Sequence, residues 1–152
     1  MFDQKIVVSE MLDMLLLSYK QQTSTMFLGA SGVGKSATIE TFANIIAPNQ
    51  PNNLIDIRLC MKSIEQVGGV LMPKELPNGS FVLQTALPEE YECLFDPNYK
   101  GVLLFDEFPS ALPSIQNVAY QVTWDRVLGG RKLSEGVAVV LAGNLHTNGG
   151  KT

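Results

Sequence analysis

Eight consecutive residues, Gly29-Ala30-Ser31-Gly32-Val33-Gly34-Lys35-Ser36, constrain the fold of this chain more than any other segment. They fit G-x-x-x-x-G-K-[ST] at every fixed position. The glycines let backbone N–H groups turn inward around phosphate oxygens with no side chain in the way. The flanks are those such a loop requires. Thr25-Met26-Phe27-Leu28 reads as a short buried strand, and Lys35 to about Ile46 reads as a helix closed by Pro48 and Pro51. The first N–H groups of that helix and its dipole favour the same anion. In this setting Lys35 reaches the β- and γ-phosphates of ATP, and the Ser36 hydroxyl ligates Mg²⁺. The nucleotide-binding stretch therefore runs from Gly29 through Ser36, with Ala37 beside it in the first helical turn.

A second pattern overlaps the first. Gly32-Val33-Gly34-Lys35-Ser36-Ala37 also fits the dinucleotide fingerprint G-x-G-x-x-[GA], and Asp56 lies about the right distance downstream to bind a ribose. Against it, Asp56 falls inside its strand, Leu54 to Leu59, rather than at the strand's end. The Gly-Lys-Ser triplet would also be unexplained.

The other informative segment is Gly101-Val102-Leu103-Leu104-Phe105-Asp106-Glu107, an apolar strand that ends in two acids. Parallel sheets bind ligands outside the carboxyl ends of their strands, which brings Asp106 and Glu107 to the phosphate loop. Asp106 then holds Mg²⁺, and Glu107 orients and polarises the attacking water. A further apolar strand, Val137 to Ala142, leads into Gly143-Asn144. The Asn144 amide there either contacts the γ-phosphate and water or belongs to an ordinary Gly-Asn turn. Helical spacing over Ser9 to Tyr19 and Ser114 to Leu128, the latter stopped by Gly129-Gly130, completes an alternation of helices and buried strands. The expected fold class is α/β, with a mostly parallel sheet and helices on its faces. Between them, Glu65 to Asn98 has no long period. Asn78-Gly79 between Val70-Leu71-Met72 and Phe81-Val82-Leu83 predicts a hairpin insert.

Composition excludes several classes. The 152 residues suit one domain, and a net charge of −4 argues against a general nucleic-acid binder. The longest apolar stretch near the N-terminus, Met14 to Leu17, is too short to span a bilayer, and no signal peptide precedes it, so the expected location is cytoplasmic. Cys60 and Cys93 read as a reduced pair and His146 as a lone histidine, none of them a metal site. Arg126 and Arg131, around the end of the Ser114 to Leu128 helix, read as surface residues that serve solubility or, alternatively, face a neighbouring subunit.

Taken in order, these motifs resemble the AAA+ ATPases, and within them the MoxR-like group. The resemblance rests on the phosphate loop, on Ile55-Asp56-Ile57-Arg58-Leu59 and on Leu103-Leu104-Phe105-Asp106-Glu107-Phe108. Gln116 to Gln121 running into Asp125-Arg126-Val127-Leu128-Gly129-Gly130 adds to it, as does Val139 to Asn144. It covers nearly the whole chain as one nucleotide-binding core, 1–152, with an insert at about 65–98. It implies Walker A at Gly29 to Ser36, Walker B at Leu103 to Glu107 and a sensor-1 residue at Asn144. Lys35, Glu107 and Asn144 are then the catalytic set, Ser36 and Asp106 the metal set, and ATP with Mg²⁺ the ligands. It further implies a hexameric remodelling ATPase, with an insert facing a pore or a partner, and a partner bearing a von Willebrand A domain. Such proteins continue past sensor 1 into an arginine finger, a fifth strand beside the first and a helical lid with a sensor-2 arginine. This sequence stops eight residues after Asn144. The expectation is therefore an incomplete core that binds nucleotide and turns over little.

Overall fold

Two segments with almost no charge, 101–106 and 137–144, have nowhere to go but the middle of a sheet. The computed structural model, which describes residues 8–29 and 34–144, puts them there. In chain order the main elements are α1 (Val8–Lys20), β1 (Thr25–Gly29), α2 (Lys35–Ile46), β2 (Leu54–Arg58) and α3 (Ile64–Gly68). A hairpin follows, β3 (Val70–Glu75) and β4 (Phe81–Ala86), then β5 (Gly101–Asp106), α4 (Pro113–Asp125), a two-residue hairpin β6 (Val127–Leu128) and β7 (Arg131–Lys132), and β8 (Val137–Asn144). The sheet order is β1-β8-β5-β2, and every pairing is parallel.

Side chains alternate across the two central strands, so each strand serves both faces. Val102 and Leu104 of β5 and Ala138, Val140 and Ala142 of β8 join Leu15 of α1 and Ile39 and Phe42 of α2 in one core. Leu103, Phe105, Val139 and Leu141 join Val67 of α3 and Ile115, Ala119 and Val122 of α4 in the other. Tyr19 meets Phe42 edge-on, with ring centroids 6.0 Å apart, and ties α1 to α2. No helix among the described residues is long and apolar enough to cross a membrane.

The expected hairpin is present, with Asn78-Gly79 in its turn. Asn78 Oδ1 accepts hydrogen bonds from Ser80 N and Oγ, at 2.9 and 2.6 Å, and Gly79 takes φ +85°. The second long helix differs from expectation. It ends at Asp125, where Arg126 takes a left-handed conformation (φ 54°, ψ 40°). Val127-Leu128, read as its last turn, is instead a strand, and Gly129-Gly130 is the turn of a small hairpin. Arg126 is half-buried rather than free at the surface. Its guanidinium donates to Ser134 O and Val137 O, both at 2.8 Å, and burial depresses its pKa.

The strand order decides against the dinucleotide reading. A dinucleotide fold sets its first two strands side by side. Here β8 and β5 separate β1 from β2.

Candidate nucleotide site at the carboxyl ends of the strands

The sheet is parallel, so β1, β8, β5 and β2 all finish at one end. Their last residues pair in register, Gly29 with Asn144 and Arg58 with Asp106. A cleft of about 350 Å³ opens there. Lys35, Ser36, Ala37, Asp106, Glu107 and Asn144 line it, together with Gly34 and Arg58. Every proposed catalytic and metal residue therefore meets at one site. Of the nucleotide-binding stretch, Ala30, Ser31, Gly32 and Val33 lie outside the described residues, as does His146.

The local geometry follows from the chain. Gly34 precedes α2 with φ +83°, a conformation that glycine takes without steric cost. α2 then begins at Lys35, so its first N–H groups face the cleft. Lys35 Nζ lies 3.2 Å from Gly29 O and 3.1 Å from Asn144 Oδ1. The cation is thus held between the ends of β1 and β8. Asn144 is the last residue of β8 and not a turn residue, which favours the reading of its amide as part of the site. Gly143 is a strand residue too. Pro109, in the loop after β5, packs so closely on it that a side chain there would overlap the proline ring.

β5 ends in Asp106, whose Oδ1 accepts the Glu107 N–H at 2.8 Å. Glu107 then takes a left-handed conformation, φ 55° and ψ 39°. That costs a non-glycine residue about 1 kcal/mol or more, so its surroundings must enforce it. The next residues do so. Phe108 is buried and meets Tyr120 of α4 edge-on at 5.0 Å. Gln116 Nε2 donates to Phe108 O at 3.1 Å and Ala111 O at 3.2 Å. The turn therefore aims the Glu107 carboxylate at the cleft side of the sheet, where the Cys60 thiol donates to it. That hydrogen bond to a carboxylate holds the Cys60 thiol above its ordinary pKa and so keeps the donor protonated.

Sequence reasoning missed three of these residues. In the sequence Arg58 enters only as part of Ile55 to Leu59, Cys60 as one of a reduced pair and Gln116 as part of a helical segment. The alternation of Leu54 to Arg58 does carry a signal for Arg58. Ile57 faces the α4 core, so Asp56 and Arg58 must face the opposite side, where α2 begins. There, loss of hydration and then the nearby Asp106 raise the Asp56 pKa.

The residues present fit a magnesium ion shared with a nucleotide. Ser36 and Asp106 give a hydroxyl and a carboxylate, both hard oxygen donors, in one cleft. Among the described residues no group of three or more His, Cys, Asp or Glu is placed to cage a metal. Mg²⁺ bound to a nucleotide takes one or two protein ligands and completes its shell with water and phosphate oxygens.

The sequence matches no known protein-family profile and no curated protein. The fold has solved counterparts. Hsp104, in a closed-state cryo-electron-microscopy reconstruction with ATPγS and FITC casein, has a TM-score of 0.57 at 19% identity over 90% of this chain and 25% of that one. NtrX from Brucella abortus has a TM-score of 0.50 at 18% identity, over 91% of this chain and 31% of its own. The chain thus spans about a quarter to a third of the structures it resembles. At these identities the likeness is one of fold. That shared fold is α/β, a parallel sheet with flanking helices.

Proposed function

We propose that this chain binds ATP with Mg²⁺ in the cleft and belongs to a MoxR-like remodelling ATPase. One observation carries the reading: Lys35, Asp106, Glu107 and Asn144 come from three separate segments and converge on one cleft at the start of α2. A fold alone does not dictate that set; phosphate chemistry does. In this reading Lys35 and the loop amides hold the β- and γ-phosphates, and Ser36 and Asp106 hold the ion. Bound Mg²⁺ supplies charge neutralisation at the phosphate oxygens. Asn144 fixes Lys35 and the γ-phosphate relative to each other. Glu107 takes the proton of the attacking water as the bond to the β-phosphate oxygen breaks, and ADP and phosphate leave.

The engagement of Glu107 by Cys60 favours a second reading, a nucleotide-binding module with low turnover until that contact opens. The partner side of the proposal rests on β3 and β4, read as the insert of the core. Leu71, Phe81 and Leu83 on that hairpin are 62 to 66% exposed, an apolar surface of the kind proteins use to meet other proteins. A hexameric ring with a partner bearing a von Willebrand A domain, in the cytoplasm, is the assembly proposed.

Titration calorimetry with Mg·ATP and with NAD tests the binding step, and phosphate release tests turnover. Lys35→Ala is expected to remove ATP binding. Glu107→Gln is expected to keep binding and lose whatever turnover the parent has, because the base acts in the transition state alone. Tight NAD binding without ATP binding would overturn the reading.

A further inference from the structure

The cleft has a cation that the phosphate-loop reading does not use. Arg58 closes β2 at the opposite edge of the sheet from β1, and its side chain lines the same cleft as Lys35 and Asp106. It also borders a neighbouring hollow with Asp56, Met61 and Lys62. The strand register fixes where it points. Arg58 pairs with Asp106 across the β2–β5 ladder, one strand spacing of about 4.8 Å away. Leu104 faces α2, so Asp106, two residues on, faces the same way. Arg58 likewise lies opposite in phase to Ile57, which faces α4. Guanidinium and carboxylate therefore stand side by side over the start of α2.

Charge makes the same point. Lys35 and Arg58 are the cations of the cleft wall, and Asp106 and Glu107 are its carboxylates. Without Arg58 the wall would carry one positive and two negative charges, a poor host for an anion. No salt bridge occupies Arg58 among the described residues, where the ion pair present is Arg131 with Glu92. Lys35 sits at the β1–β8 side, held by Gly29 and Asn144. Arg58 sits at the β5–β2 side, next to the acid assigned to the metal.

We propose that Arg58 is a specificity-determining residue of the site, donating to the terminal phosphate of a bound nucleoside triphosphate and so distinguishing it from the diphosphate. The proposal rests on the ATP reading above. Its geometry follows from the placement of Asp106. An ion held by Asp106 would neutralise charge on the outer phosphates of the nucleotide. A guanidinium in register with Asp106 is therefore nearest to the phosphate end farthest from the loop. Arginine suits the task, since its planar fork matches two phosphate oxygens at once and it stays charged.

Calorimetry with Mg·ATP and Mg·ADP on the parent chain, Arg58→Ala, Arg58→Lys and Lys35→Ala decides it. Arg58 is an exposed residue at a strand end, so the variants should melt as the parent does. Loss of a charge-assisted hydrogen bond is expected to weaken ATP binding by about tenfold or more and ADP binding by less than about twofold. Arg58→Lys should fall between, because it keeps the charge and loses the fork. Equal losses for ATP and ADP would reduce Arg58 to a background charge and overturn the proposal. So would no loss for either. A parent that binds neither nucleotide, or a Lys35→Ala variant that binds like the parent, would overturn the ATP reading itself. Both of those outcomes appear without any Arg58 variant.

Discussion

The two ends of the same parallel sheet are built to opposite specifications. At the amino ends of the strands, polar groups are closed on one another. Arg126 spans two carbonyls, Ser134 Oγ donates to Tyr99 O at 3.0 Å and Tyr99 Oη donates to Asn52 O at 2.6 Å. Val102 N reaches Asn53 O at 2.8 Å, and Gly101 N reaches Gly136 O at 3.1 Å. At the carboxyl ends, Lys35, Arg58, Asp106, Glu107 and Asn144 face a cleft instead. Glu107 stands there in a backbone conformation that costs energy, and Asp56 lies beside a second carboxylate. Buried polar groups stabilise when their partners are complete, whereas groups left facing a cavity are available to a ligand. Stability and ligand chemistry are thus separated along the strand axis.

That separation breaks if a variant at one end changes the property assigned to the other. The largest stability effect is expected from Arg126→Ala. It strands two carbonyls and removes a partly buried side chain, a loss of about 2–4 kcal/mol in urea unfolding. ATP affinity of the folded protein should be unchanged. Tyr99→Phe is the next step down, about 1 kcal/mol at neutral pH for one hydrogen bond. Its pH dependence sharpens the point. Burial raises the Tyr99 pKa above its ordinary value of 10.0. Such a group contributes its full stability below the unfolded pKa and loses it as pH rises through the folded one. The parent should therefore lose stability above pH 10 more steeply than Tyr99→Phe does.

At the cleft end the pH dependence runs the same way, but the effect of substitution at pH 7 reverses. The raised Asp56 pKa means that the folded state disfavours its carboxylate, so the contribution is lost as pH rises above the ordinary value of 3.8. Asp56→Asn should stabilise the protein at pH 7, by less than Tyr99→Phe destabilises it. The gain should vanish below about pH 4. A variant that is destabilised at pH 7 would show that Asp56 is held by favourable contacts and that the cleft end is not under electrostatic strain.

How much of this was legible in the sequence depended on how many structures a pattern permits. The run 101–106 has both faces buried, and a short apolar run with acids at its end fits little else in an α/β protein. The start of α2 at Lys35 was fixed by the phosphate motif, since the loop requires a helix there. The end of α4 was not. Val127 and Leu128 continue its apolar spacing, and what stops the helix is the left-handed Arg126, which no propensity announces. The Gly129-Gly130 pair was correctly seen as a break, but a double glycine marks a helix stop and a hairpin turn equally well. In the site, motif residues were legible because phosphate chemistry fixes their spacing. Arg58 and Cys60 were not. They reach Asp106 and Glu107 only through the β2–β5 register, which joins residues 48 and 47 positions apart.

The smallest effect asks whether an exposed ion pair stabilises the fold as the carbonyl-bound Arg126 does. Arg131 and Glu92 form a two-pronged pair, with both hydrogen bonds 2.8 Å long, and Arg131 also stacks over Phe95 at 4.1 Å. The pair lies at the surface, with side chains 42 and 64% exposed. Water and salt screen such a pair, and both long side chains lose freedom in forming it. The Arg131 hydrogen bonds hold the Glu92 pKa below its ordinary 4.5. A lowered carboxylate pKa contributes stability above the unfolded value and loses it as pH falls through the folded one. Glu92→Gln should therefore lower the melting temperature slightly at pH 7, by less than any variant above. It should match the parent at acid pH, where the carboxylate is protonated in both states, and the difference should shrink in high salt. The Arg131–Phe95 stack needs no carboxylate and should survive the change. A loss as large as that of Arg126→Ala would mean that an exposed pair stabilises this fold as much as the half-buried arginine does.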